Sequence, residues 1–299
     1  MTKQEISIIG AGLMGHGIAQ VFAQAGHLVR VYDPQYDALI SLRTRIAENL
    51  HDLGQNTDVI QHVYPVEDLE QCVAGADVVF EAGPEDLKFK QELFEKLEKL
   101  VPVHALLASN TSVIPIADIM LRVKSGQRVM GTHWWNPPYL MPLVEVIKTP
   151  QTDTKLAQKM FDLLSSVGKT PAMVEKDIPG FIGNRLQHAL WREAISLVAN
   201  GVCDAQTVDT VVKASFGRRL SVLGPLENAD LVGIDLTLAI HQTVIPDINR
   251  EKSPSPYLAE LIKAGKLGMK SGEGFHKWSA DEVVALRHRM LTHLKSISN

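Results

Sequence analysis

Apolar and polar residues along the first half of the chain fall into blocks that predict alternating strands and helices. Ile6–Ile9 is a short, wholly apolar run, as a strand buried on both faces requires. A glycine-punctuated turn follows, then an apolar helix to about Ala25, a stop at Gly26, and a second strand at Leu28–Tyr32 ending in Asp33. Asp37–Leu50 places Leu39, Leu42, Ile46 and Leu50 at helical spacing and reads as one amphipathic helix, whereas His51–Pro65 reads as a polar loop. Ala76–Glu81, Leu106–Ala108 and Val129–Gly131 read as further buried strands, Leu87–Leu100 as a charged amphipathic helix, Thr154–Val167 as a helix and Ala172–Val174 as a last strand. Asp177-Ile178-Pro179-Gly180 then breaks the pattern. Beyond it Phe181–Ala199, Ala205–Ala214, Ala229–Thr243, Tyr257–Ala264 and Ala280–Ser296 all read as helices. The expectation is an α/β fold: a doubly wound parallel sheet over residues 1–178, followed by an all-helical domain over 179–299 whose apolar faces suit dimerisation.

The length of 299 residues allows two domains and a core large enough to need no covalent staple. A formal charge of −4, with lysine and arginine scattered, provides no global attraction to nucleic acid or to an anionic membrane. Cys72 and Cys203 lie far apart and form no CxxC pair, which argues against a disulfide framework or a metal cage and fits a reducing cytoplasm. Lys3 with the apolar stretch Ile6–Ala25 superficially resembles a secretory leader, but Glu5, His16 and the patterned glycines suit a strand–turn–helix better. No stretch offers enough uninterrupted apolar residues for a membrane span.

The turn after the first strand reads Gly10-Ala11-Gly12-Leu13-Met14-Gly15. In this context Gly10 permits a sharp turn, Gly12 lets the backbone approach a pyrophosphate, and Gly15 permits close helix–strand packing, with the helix N-terminus facing the phosphates. Asp33, at the end of the second strand, is placed to accept hydrogen bonds from a ribose. An acid there with no arginine directly after it favours NAD over NADP. The first domain is therefore a Rossmann, NAD-binding domain, with Gly10, Gly12, Leu13, Met14, Gly15 and Asp33 on the cofactor side.

The chemistry points to Gly131–Ile147, GTHWWNPPYLMPLVEVI. His133 ends one β-like run and Glu145 interrupts the next, with an aromatic, proline-rich loop between them. Two short strands joined by that loop bring imidazole and carboxylate together, so that the carboxylate fixes one tautomer and supports the imidazolium, as a general base requires. On the residues alone, Glu145 is equally an outward-facing strand residue. Ser112 is equally an N-cap for a helix near Pro115, and Asn184 a brace at a helix start. Trp134 and Trp135 read as pocket wall or core.

Several segments in order resemble the 3-hydroxyacyl-CoA dehydrogenases over nearly the whole chain: GAGLMG, EAGPEDLKFK at 81–90, SNTS at 109–112, GTHWWNPPYLMPLVEVI, DIPGFIGNRL at 177–186, GPLENADLVGID at 224–235 and GMKSGEGF at 268–275. The resemblance implies NAD-dependent interconversion of an alcohol and a ketone, with His133 as base paired to Glu145. It implies that Ser112 and Asn184 contact the reacting oxygen and align substrate, that Glu85 and Lys90 line the cofactor side, and that the helical domain forms a homodimer. No metal is implied.

Three features depart from that family. Asn49–Glu70 holds no lysine or arginine to meet the phosphates of CoA, Asp86 stands where the family carries an amide, and the HWWNPPYLMP loop is bulkier than usual. The loop looks more like branches acting on carnitine, gulonate or pyridine-ring compounds. The substrate is thus expected to be a small molecule, either (S)-3-hydroxyacyl-CoA or a small hydroxy acid or aldehyde without CoA; Arg185 and Arg192 are candidates to meet a free carboxylate. Gly180 replaces the lysine that the neighbouring 3-hydroxyisobutyrate and 6-phosphogluconate dehydrogenases use. A non-catalytic role like that of lens crystallins is the alternative of another class.

Overall fold

The computed structural model describes residues 3–297. Its first half follows the expected alternation: β1 (Glu5–Ile9), α1 (Leu13–Gln24), β2 (Leu28–Tyr32), α2 (Tyr36–Ile40), α3 (Leu42–Asp52), β3 (Val63–Val66), α4 (Leu69–Val73), β4 (Val78–Glu81), α5 (Leu87–Leu100), β5 (Leu106–Ser109), α6 (Ile116–Ile119), β6 (Val129–Trp134), β7 (Leu143–Ile147), α7 (Thr154–Ser166) and β8 (Thr170–Val174). The strands form one sheet in the order β3-β2-β1-β4-β5-β6-β7-β8. Successive side chains on a strand leave by opposite faces, and the two cores obey that rule. Ile8, Phe80 and Ala108 join α1, α3 and α7 through Ile18, Phe22, Ile46 and Met160. Ile9, Val79 and Leu107 meet α4, α5 and α6 through Cys72, Phe94, Leu97 and Ile119 on the other face. Aspartates start the helices: Asp86 Oδ1 accepts from Phe89 N at 2.7 Å to cap α5, and Asp153 caps α7, each such cap contributing about 1 kcal/mol.

Three differences from the sequence-based expectation in the sheet-containing part have physical causes. The 37–50 helix is two, with Ser41 turning the chain between α2 and α3. The stretch expected to be a polar loop contains a 3-10 turn at Thr57–His62 and then β3, which pairs only with β2. An edge strand tolerates Pro65, because one of its sides needs no ladder bond. The sheet is also not wholly parallel: β6 and β7 run antiparallel, which a hairpin loop permits, and β7 and β8 are parallel to each other.

The chain divides into two compact units. One runs to Arg185 and takes back the segment from His293; the other is Leu186–Thr292. The helices of the latter part are α8 (Gly183–Ala199), α9 (Ala205–Ala214), α10 (Pro225–Val232), α11 (Ile234–Val244), α12 (Pro256–Lys263) and α13 (Ala280–Ile297). Gly233, at φ 105°, separates α10 from α11 where one helix was expected, because a right-handed helix cannot pass through that conformation. Among the described residues none after Phe181 is buried.

Candidate active site

The antiparallel pairing of β6 with β7 sets His133 directly opposite Glu145. Both side chains are buried, and His133 Nδ1 lies 2.7 Å from Glu145 Oε2. The other carboxylate oxygen, Oε1, accepts from the backbone N–H groups of Ile182 at 2.9 Å and Gly183 at 3.0 Å, at the start of α8. Burial by itself would raise the pKa of Glu145. The hydrogen bond from His133, the two N–H groups and the charge of His133 outweigh it and hold the carboxyl below its ordinary value. An ionised Glu145 accepts only, so Nδ1 carries the proton, and in the neutral imidazole it is Nε2 that presents a lone pair. The imidazole has two ring neighbours, Trp135 at 5.3 Å and Phe181 at 5.6 Å between centroids.

The SNTS segment after β5 uses each of its residues. Ser109 Oγ donates to Glu81 Oε2 at 2.6 Å. Asn110 Oδ1 accepts from Trp134 N at 2.9 Å, holding β6 just past His133. Thr111 Oγ1 donates to Glu85 Oε1 at 2.7 Å, and the N–H groups of Ser112 and Val113 reach the same oxygen. The carbonyl of Ser112 accepts from Asn184 Nδ2 at 2.8 Å, so Ser112 and Asn184 are brought together, while the Ser112 residue is exposed. Lys90 is 1% exposed, and its Nζ sits 2.7 Å from Glu81 Oε1 and 3.6 Å from Glu85 Oε2. It links two carboxylates rather than opening to solvent. Burial would raise the pKa of Glu85, but the Thr111 hydroxyl, the Lys90 ammonium and the two N–H groups hold it below its ordinary value.

The glycine turn fits a dinucleotide. Gly10 has φ 107°, and a Cβ there would lie 2.6 Å from the Ala82 carbonyl oxygen, while one at Gly15 would lie 1.8 Å from that of Gly10. At Gly12 a Cβ would meet nothing within 4 Å, so the backbone faces open space where a pyrophosphate needs close approach. Leu13 is exposed at the helix start, and Met14 packs on the core. Asp33 Oδ2 accepts from Ala11 N at 2.7 Å and Oδ1 from Gln35 N at 2.8 Å. Each oxygen retains acceptor capacity for a ribose.

The loop between the strands is anchored at several points. Trp134 is core, with Phe22 and Phe80 each 6.1 Å away between centroids. The Lys169 ammonium donates to the carbonyls of Pro138 and Met141 and lies 5.7 Å above the Trp134 ring. Burial pushes its pKa down to about 8. Pro138 packs against Gly17 of α1, where a Cβ would come within 2.8 Å of its ring.

Ser109, Asn110 and Thr111 are legible in the sequence as a polar cluster at a strand end, although their separate partners are not, and other groups are missed. Arg45, whose Nη2 donates to the Ala11 carbonyl at 2.7 Å beside Asp33, had no local signature, and Arg43 instead reaches the Val63 carbonyl. The N–H groups that hold Glu145 belong to the backbone and leave no trace in residue types. Arg185 and Arg192 bond the carbonyls of Pro179 and Glu251 at 3.5 and 3.4 Å respectively.

Comparison with known proteins places these features in context. Residues 5–178 match the family profile of the 3-hydroxyacyl-CoA dehydrogenase NAD-binding domain, and residues 180–278 that of the 3-hydroxyacyl-CoA dehydrogenase C-terminal domain. The chain is 33% identical over 289 residues to 5-formyl-3-hydroxy-2-methylpyridine 4-carboxylate 5-dehydrogenase of Mesorhizobium japonicum, covering 95% of this chain and 94% of that protein. It is 38% identical over 282 residues to a probable 3-hydroxybutyryl-CoA dehydrogenase of Deinococcus radiodurans, covering 92% of this chain and all (100%) of that one. A crystal structure of the pyridine-carboxylate 5-dehydrogenase, described as an NAD+-dependent dismutase, superposes with a TM-score of 0.91 at 32% identity, covering 99% of this chain and 97% of that one.

Proposed function

The chain belongs to the 3-hydroxyacyl-CoA dehydrogenase family and is an NAD-dependent dehydrogenase acting on CH–OH groups, and on that premise we propose that His133 and Glu145 form its catalytic dyad. The observation that carries the proposal is the buried 2.7 Å bond between them. His133 Nε2 takes the hydroxyl proton of the substrate as the carbinol carbon becomes a carbonyl, and returns it in the reverse direction. Glu145, ionised, stabilises the imidazolium so formed. Ser112 and Asn184, linked to each other, orient the reacting oxygen. NAD, when bound, supplies the acceptor for the hydride leaving that carbon. Gly10, Gly12, Leu13, Met14, Gly15 and Asp33 hold the cofactor, with Glu85, backed by Lys90, on the cofactor side. The functional division runs 1–178 for the NAD domain and 179–299 for the substrate and dimerisation domain.

The breadth of the family supports (S)-3-hydroxyacyl-CoA as substrate, in fatty-acid metabolism. A second reading, a small carboxylate or aldehyde without CoA, has its own support. Asn49–Glu70, spanning the end of α3 and β3, holds no lysine or arginine for the CoA phosphates, and the pyridine-carboxylate enzyme superposes on 99% of the chain. A homodimer through the helical domain is supported by the absence of any buried described residue beyond Phe181. A reducing cytoplasm is supported by two unpaired cysteines. Among the described residues no helix is long and apolar enough to cross a membrane.

The test is NADH absorbance with acetoacetyl-CoA beside free carboxylic and pyridine carbonyl substrates. Turnover of acetoacetyl-CoA supports the first substrate reading, and turnover of the free acids alone replaces it with the second. Full rate in a His133→Gln variant defeats the dyad.

A further inference from the structure

Phe181 is the only non-glycine residue with positive φ among the described residues, at 50°, and it follows Gly180 at 75°. Left-handed backbone is disfavoured for any residue bearing a Cβ, so something must hold Phe181 there. Its ring is fully buried, packed in the core with Ile116, Ile147 and Val174. The chain is closed behind it by the bond from Phe181 N to the Ile178 carbonyl at 3.0 Å. Two consequences reach the candidate dyad from this one residue. The ring stands 5.6 Å from the imidazole of His133. The left-handed turn is followed at once by the N–H groups of Ile182 and Gly183, which converge on Glu145 Oε1. With that oxygen occupied, Oε2 is left to His133 Nδ1, and the carboxylate cannot swing away without abandoning two backbone donors.

We propose that Phe181 is a positioning residue for His133: burial of its ring holds its backbone left-handed, and that backbone aims two N–H groups at Glu145 so that the carboxylate holds the imidazole in one tautomer and one orientation. This rests on the reading of His133 and Glu145 as the dyad. In this role the buried ring serves to hold the left-handed backbone, and the two separate by substitution. Phe181→Gly removes the ring but adopts positive φ without penalty, whereas Phe181→Ala removes the ring and keeps the penalty.

The readout is the downfield proton resonance of the His133–Glu145 hydrogen bond in the full-length, NAD-bound protein, assigned by its loss in His133→Gln. This measurement needs no substrate. The expected result is that Phe181→Gly retains the resonance, with solvent exchange within about threefold of wild type. Phe181→Ala should exchange at least about tenfold faster while its NAD affinity stays unchanged. A role in folding alone would instead move NAD affinity and thermal midpoint and leave exchange in the folded protein as in wild type. Equal exchange rates in Phe181→Ala and wild type overturn the inference, as does faster exchange in Phe181→Gly than in Phe181→Ala. The two readings fail separately. A His133→Gln variant with full turnover defeats the dyad, whereas an inactive His133→Gln beside an unperturbed Phe181→Ala defeats only the role of Phe181.

Discussion

In the sheet-containing unit Phe22, Phe80, Phe94 and Ile46 have no exposure at all, whereas in the helical unit Val222, Leu226 and Leu231 retain 86, 79 and 75% of theirs. The residue types are alike; the difference lies in what covers them. A sheet with helices on both faces closes its own core. The helices after Phe181 leave their apolar faces uncovered within a single chain. Fully burying one such side chain contributes about 1.5–3 kcal/mol, so the helical unit has a large gain still available from association. The closed core and the proposed chemistry reside in the first unit, and the uncovered apolar surface in the second.

That contrast can be broken by substitutions that strike one unit and spare the other. The largest effect on turnover is expected from His133→Gln: a fall of about 10²–10⁴-fold in kcat/KM with unchanged NAD affinity and unchanged sedimentation. Phe94→Ala, in the core between α5 and the sheet, is expected to cost about 3–5 kcal/mol in denaturant unfolding. Leu226→Asp with Leu231→Asp should do the reverse of His133→Gln, converting a dimer to monomers in sedimentation while NAD binding persists; a dimer that survives both would remove the contrast.

Smaller effects follow pH. Glu145 has its folded pKa held below the unfolded value of about 4.5. Its contribution to stability is therefore present above that unfolded value and lost as pH falls through the folded one. Glu145→Gln should flatten the acid limb of a stability–pH curve, and an identical limb would count against the environment described for it. Lys169 works in the same sense but in an alkaline window. Its folded pKa of about 8 lies below the ordinary 10.5, so the unfolded chain binds more protons between those values and stability rises with pH across that window. Lys169→Met should remove that slope, read by chemical denaturation at intervals from pH 8 to 10.5.

The sequence made the alternation legible because strands buried on both faces are continuous apolar runs, and it made the dyad legible because a histidine and a glutamate flank one hairpin loop. Other parts had no such mark. β3 reads VYPV, and a proline in a run argues for loop unless one knows that the strand lies at the sheet edge. The break at Gly233 was a single glycine in an otherwise helical pattern, and only its φ of 105° distinguishes a break from a tolerated residue. Lys90 was placed on the cofactor side by motif, while its burial between Glu81 and Glu85 depends on residues distant in sequence. Phe181 looked like the first residue of a helix; its left-handed backbone comes from tertiary packing, which no local pattern encodes.

The contact of Pro138 with Gly17 couples two regions usually thought of as separable. The loop next to the proposed dyad rests on the same helix whose first turn is proposed to face the dinucleotide. A side chain at position 17 is therefore expected to be felt as a change in substrate preference although it lies in α1, just past the glycine turn. Efforts to retarget this loop to a new substrate should hold Pro138 and Gly17 fixed together, or exchange them as a pair.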